Sequence, residues 1–279
     1  MVGAAVGRFL ASLLAILVIA LVLPGPAAGQ TERLRLIATT TLESSGFLNA
    51  IVPQFEAATG LRVETIIVGT GQAHDLARRG EGDVVLTHDP AGERALVAEG
   101  VVSERRPVMT NHFVIAGPAD DPAGIRSVRR AEDAFARIAT SQAGFISRGD
   151  DSGTHRVEQR IWQAAGLEPE SLSRRWYRPV GQGAGAALRI AAQLGAYVLV
   201  DSATLAAQAT DGLDLLLEPE PQWSNAYAVM MVSAERHPAV NQAAAEALID
   251  WLTGPAGQAA ISTFRIGGAA AFSPAADGG

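Results

Sequence analysis

The chain contains no cysteine. That excludes disulfides, thiol catalysis and a lipid-modified cysteine behind an export signal. Basic residues are in the minority, 22 Lys and Arg against 29 Asp and Glu, and the net charge of −7 argues against a nucleic-acid partner. It also opposes the long-range approach of an anion, so an anion site would rest on local dipoles and one or two arginines in a small enclosed pocket. No segment repeats at a fixed short period, which excludes a solenoid. No phosphate loop ending in Gly-Lys-Ser/Thr occurs. The long apolar run, Phe9 to Leu23, falls short of the ~20 residues a membrane span needs. It follows Arg8 and precedes Pro24-Gly25-Pro26-Ala27-Ala28-Gly29, the pattern of a secretory signal peptide with small residues ahead of the cut. The expectation is cleavage after Gly29 and a free, exported chain beginning at Gln30. Without crosslinks such a chain relies on its core, and 279 residues at 48% hydrophobic and 18% charged are enough to build one.

From Leu34 the pattern alternates. Leu34 to Ala38 reads as a strand, Phe47, Leu48, Ile51, Val52 and Phe55 as a helix stopped at Thr59-Gly60, and Val63 to Val68 as a second strand. The loop Gly69-Thr70-Gly71-Gln72, a short helix to Arg79, a strand Asp83 to Thr87, a helix Ala91 to Glu99 and a strand Phe113 to Ala116 follow. Such alternation predicts a parallel sheet covered by helices. Composition turns polar at Gly117-Pro118 and Asp120-Asp121-Pro122. The alternation then resumes from Ile125 to about Pro221, and Tyr227 to Val232 returns as a strand ahead of a helix with Ala244, Leu248 and Trp251. The predicted organisation is a signal peptide (1–29), a first α/β lobe (30–117 and 222–272), a second α/β lobe (118–221) and a disordered tail (273–279) rich in Pro, Ala and Gly. Two lobes joined by two crossing segments form a hinged cleft.

Ser147-Arg148-Gly149-Asp150-Asp151-Ser152-Gly153-Thr154 precedes an amphipathic run through Val157, Ile161 and Ala165. It reads as a helix start capped by Ser152 or Thr154, whose first amides can bind an anion. Arg148 supplies an always charged, two-pronged donor. Asp150 and Asp151 would repel a dianion; they are read as holding Arg148 and capping the helix, with the alternative that one accepts a proton from a ligand such as hydrogen phosphate. Thr39-Thr40-Thr41 ends the first strand, where ligands of open α/β sheets sit, and Gly69-Thr70-Gly71-Gln72 ends the next. Gly181-x-Gly183-x-x-Ala186 matches a dinucleotide fingerprint loosely and reads as another glycine-rich helix start facing the cleft. Asp151-Ser152-Gly153 with His155 resembles a serine-protease nucleophile, but that enzyme is built from β-strands and this chain alternates; a secreted serine hydrolase is the rival reading. The five histidines show no zinc-ligand spacing and are read as surface or turn residues.

Ala38-Thr39-Thr40-Thr41, Val68 to Ala73, His88-Asp89-Pro90, Arg106 to Met109, Ser147 to Thr154 and Gly181-Gln182-Gly183 together resemble the tungstate-binding periplasmic proteins of ABC transporters, over residues 34 to 266. The resemblance implies a type II periplasmic binding protein fold, two α/β lobes on a two-segment hinge, closing on one tetrahedral oxyanion. It carries binding roles to Thr39, Thr40, Thr41, Thr70, Arg148, Ser152 and Thr154, to which the Gly153 amide is added as a donor. Leu42-Glu43 departs from the family pattern, in which a serine often follows the threonines. The implied protein is a periplasmic monomer and no enzyme. It uses no cofactor and no free metal cation, takes tungstate, with molybdate as a further candidate ligand, and delivers its ligand to a permease in the inner membrane. Phosphate is the alternative ligand: it needs one acceptor in the pocket, whereas tungstate, molybdate and sulfate want donors only.

Overall fold

A computed structural model describes residues 33–208, 211–218 and 223–275, and the expected signal peptide lies outside the described residues. The first half begins with β1 (Arg33–Thr39), a short α1 (Thr40–Ser44), α2 (Phe47–Thr59), β2 (Arg62–Val68), α3 (Thr70–Arg78), β3 (Val84–Thr87) and α4 (Pro90–Ala98). β1 lies between β2 and β3, parallel to both, with Thr39 opposite Val68. The ends of β1 and β2 therefore deliver Thr39 and Gly69 side by side to one sheet edge.

Alternate residues of these strands face opposite cores, as strand geometry requires. Leu34, Leu36, Val84 and Leu86 pack with Phe47, Ile51 and Phe55 of α2, while Ile37 and Val85 pack with Ala73, Leu76 and Ala77 of α3. Burial on both faces is why β3 reads as an unbroken apolar run from Val84 to Leu86, whereas the half-buried Arg35 interrupts β1.

β4 (Arg106–Pro118) changes partner along its length. Thr110 to His112 pair antiparallel with β9, and Phe113 to Ala116 pair antiparallel with β7. The second half continues through α5 (Ala131–Ser141), β5 (Phe145–Ser147), α6 (Gly153–Ala164), β6 (Tyr177–Pro179), α7 (Ala184–Leu194), β7 (Tyr197–Asp201), α8 (Ser202–Ala207) and β8 (Leu213–Leu217). β5 is parallel to β6 and β7, and β8 pairs antiparallel with the end of β4. An aromatic cluster of Phe135, Phe145, Trp162 and Tyr177 fills one face, and Val114, Ile146, Leu188 and Val198 the other.

The chain returns to the first half as β9 (Ser224–Met231), antiparallel to β3, and adds α9 (Gln242–Thr253) and α10 (Pro255–Thr263). α9 presents Ala244, Ala245, Leu248, Ile249 and Leu252 to the first core, and its N-cap Asn241 accepts from the Ala244 amide. A two-stranded hairpin, β10 (Arg265–Ile266) and β11 (Ala269–Ala270), precedes β12 (Ser273–Pro274).

Two expectations change. The sheet is mixed, because β4 runs through both halves and β9 comes back beside it, so both lie antiparallel to their neighbours. Composition alone also suggests disorder after Phe272, yet Ser273 and Pro274 pair with Thr110 and Met109, and the Ala275 amide donates to the Val108 carbonyl at 2.9 Å. Phe272, buried among Phe47, Tyr227 and Phe264, anchors that strand.

Candidate oxyanion site

Four chain segments meet where the halves face each other: the β1–α1 junction and the start of α3 from the first half, and the starts of α6 and α7 from the second. Arg148 leaves the end of β5 and is 1% exposed. Its Nη2 donates to Thr40 Oγ1 at 3.1 Å, across the halves, and its Nε donates to the Gln182 carbonyl at 3.2 Å. Asp150 pairs with the same guanidinium and also accepts from the Ser152 amide at 3.2 Å. Gly183, the N-cap of α7, lies so close to Thr40 that a Cβ there would stand 3.2 Å from the threonine Cβ.

The α6 start joins the first half at Thr70. The Gly153 amide donates to Thr70 Oγ1 at 3.0 Å, so in this structure it is occupied, although the sequence reading assigns it to an anion. Ser152 is the N-cap, its hydroxyl accepting from the His155 amide at 3.2 Å. Gly71 has no room for a side chain: a Cβ there would stand 2.5 Å from Asp151 Oδ2. Asp151 adopts a left-handed φ of 54°, uncommon outside glycine, asparagine and aspartate. Arg156 holds it there through both carboxylate oxygens, at 3.0 and 2.8 Å. Arg156 also pairs with Asp89 of the first half. Both aspartates are thus engaged by arginines.

A set of donors is left over. Thr39 Oγ1, Thr41 Oγ1, Thr154 Oγ1 and Arg148 Nη1 are buried without a hydrogen-bond partner. Thr39 occupies the N-cap position of α1 without making the usual capping bond. Most buried polar atoms in proteins are paired, and leaving one unpaired costs about 1–3 kcal/mol. A tetrahedral dianion offers acceptors on every face and would satisfy such a set.

The serine-hydrolase reading finds no geometry here. His155 Nδ1 accepts from the Asp151 amide at 3.1 Å, and the contact between His155 and Ser152 Oγ runs through the His155 backbone amide rather than the ring.

Sequence reading missed a buried polar chain beneath the site. The Asn111 amide group donates to Asp201 Oδ1 at 3.0 Å, and the Asn225 amide group donates to Asn111 Oδ1 at 2.8 Å. Asn225 Oδ1 lies 2.7 Å from His88 Nδ1. These four residues link β7, β4, β9 and the loop after β3. His88 and His74 are each 3% exposed, which corrects their reading as surface or turn residues. Burial holds both imidazoles down to about 4, so they are neutral at pH 7. Burial also pushes the Asp201 carboxyl up. The signal available for His88 was its place at the end of β3, on the same sheet edge as Thr39 and Thr70.

A model of the PBP superfamily domain matches residues 25–256. The tungstate-binding protein TupA of Peptoclostridium acidaminophilum is 35% identical over 271 residues, covering 92% of this chain and 94% of that protein. The solved structure of the tungstate ABC transporter from Geobacter sulfurreducens is 40% identical, covers 84% of this chain and 99% of its own, and superposes with a TM-score of 0.76. That of the tungstate-binding protein TupA from Desulfovibrio alaskensis G20 is 34% identical, covers 88% and 100%, and has a TM-score of 0.72. The chain therefore belongs to the PBP superfamily, among its TupA-like periplasmic binding proteins of type II fold.

Proposed function

We propose that this protein captures tungstate in the periplasm and delivers it to an ABC permease, binding its ligand without transforming it. The observation that carries the reading is the set of partnerless buried donors, Thr39, Thr41, Thr154 and Arg148 Nη1, at one junction. Thr39, Thr40, Thr41 and Thr70 line the first lobe, and Arg148, Ser152, Gly153 and Thr154 the second. The first lobe takes in 30–117 and 222–272, the second 118–221, and the hinge lies where β4 changes partner. The relatives' names support tungstate. Export through a signal cleaved after Gly29 and a monomeric mature chain complete the proposal.

The engagement of both aspartates by arginines favours a fully ionised anion, which wants donors only. Molybdate shares tungstate's charge and shape, so hydrogen bonds discriminate weakly between the two. Phosphate remains the rival on one observation: Asp201 Oδ2 is buried without a partner, and Arg148 acts on the same carboxyl electrostatically. Isothermal titration of the chain from Gln30 with tungstate, molybdate, sulfate and phosphate separates the two readings. One tight tungstate site with phosphate silent supports the proposal, and tight phosphate with silent tungstate overturns it.

A further inference from the structure

A separate cavity of about 420 Å³ opens where α4 of the first half faces α6 of the second. None of the eight residues assigned to the oxyanion lines it. Arg94 of α4 and Arg160 of α6 do, together with Phe113, Val157, His88 and Trp223. The chain has no lysine, so its side-chain cations at neutral pH are guanidiniums. Most are engaged by carboxylates or carbonyls, but among the described residues Arg94 and Arg160 make no ion pair or hydrogen bond. Two unpaired positive charges, one from each half, thus share one groove, and like charges held together favour an anion between them.

Two buried polar atoms of the lining residues are also without partners: the Trp223 indole N–H and His88 Nε2. The amide chain fixes what His88 offers. Asn225 Nδ2 donates to Asn111 Oδ1 and to the Tyr227 hydroxyl, at 2.8 and 2.9 Å, which leaves Asn225 Oδ1 to face the imidazole. His88 Nδ1 must therefore be the donor to it, and in the neutral ring Nε2 carries the lone pair. The groove thus combines two guanidiniums with the apolar walls of Phe113 and Val157, and the residues that line it carry a buried indole donor and a buried imidazole acceptor.

We propose that this groove is a second binding site, for a small organic anion that carries a hydroxyl, and that its occupant ties the two halves together. The anionic group bridges Arg94 and Arg160, the hydroxyl meets the acceptor, and the carbon frame lies on the apolar wall. Because the two arginines come from opposite halves, occupancy favours the closed arrangement and so tightens oxyanion binding in the main cleft. The reverse coupling follows by linkage.

Trp223 fluorescence provides the test. The mature protein, saturated with tungstate to occupy the main cleft, is titrated at constant ionic strength with glycerol phosphate and with sulfate, which carries no hydroxyl. The expected result is a saturable change with glycerol phosphate, at least tenfold weaker with sulfate, absent in Trp223→Phe. The midpoint should rise at least tenfold in Arg94→Gln/Arg160→Gln, whose fold is checked by circular dichroism. A change that does not saturate, that persists in Trp223→Phe, or that is equal in the double variant overturns the proposal. If tungstate itself fails to bind, its own titration reports that separately, and the groove titration is run without it.

Discussion

The Gly153 amide donates to the Thr70 hydroxyl at 3.0 Å, so the first turn of α6 in one half is bonded to the first turn of α3 in the other. A helix N-terminus has amides with no partner of their own, and here a neutral hydroxyl from the opposite half satisfies one of them. Thr70→Val keeps the shape and leaves that buried amide unpaired, at a cost of about 1–3 kcal/mol. Thermal unfolding should show the loss, and Thr70→Ser should restore most of it. Equal melting of wild type and Thr70→Val would mean the contact is not made in solution.

Thr39, Thr41 and Thr154 invite the opposite experiment. Their hydroxyls are buried without partners, so Thr→Val at each removes a polar atom that nothing in the fold uses. Apo stability should hold or rise, while tungstate affinity falls by about 1.5–3 kcal/mol per site, the worth of a hydrogen bond to a charged group. Such a trade of stability for function is common at binding sites. Variants that melt lower and bind unchanged would make these hydroxyls structural.

Arg148 combines a donor to Thr40, a donor to Gln182, an ion pair with Asp150 and one free arm. Arg148→Ala should cost about 1.5–3 kcal/mol in tungstate binding as a lost charge-assisted bond. Arg148→Lys should recover only part of this, since an ammonium cannot hold Thr40, Asp150 and a ligand in one plane. Titration calorimetry decides, and full affinity in Arg148→Ala would remove this residue from the site.

Acid stability tests the buried imidazoles. His74 and His88 are held at about 4, below the ordinary 6.5, by burial. Their neutral forms stabilise the fold fully above about pH 6.5, and that contribution is lost as pH falls towards 4, because the unfolded chain takes up the protons first. Glu158 acts in the other direction. Burial pushes its carboxyl up to about 7 from 4.5, so stability declines as pH rises from about 4.5 to about 7 and is level beyond. Unfolding midpoints followed from pH 4 to 8 should show both slopes. His74→Asn should flatten the acid limb, and Glu158→Gln the limb approaching neutrality. Unchanged slopes in both variants would contradict these assignments.

How far the site was legible depended on how local its signals are. Thr39 to Thr41, Thr70 and the Ser147–Thr154 segment were readable because each sits at a strand end where a helix begins, and strand ends announce themselves in periodicity and capping residues. His88 sits at such an end too, but a single imidazole carries no pattern. Asn111, Asn225 and Asp201 are isolated polar residues in apolar strands, and only the pairing of β4 with β9 and β7 joins them. Arg156 carries no sequence pattern of its own beyond its place in a helix. Its bond to Asp89 exists because two elements far apart in the chain pack side by side.

By itself the sequence determined the alternation of strands and helices, the apolar faces that build the cores, and the strand-end loops that carry hydroxyls and Arg148. These follow from short-range periodicity and from which residues tolerate a turn or a cap. Tertiary structure alone decided that β4 would serve both halves and that Ser273 would pair with Thr110. It also placed Arg148 against Thr40, and set Asp150 and Asp151 against arginines. Those outcomes turn on which surfaces meet in three dimensions, where burial raises the cost of every unpaired polar atom.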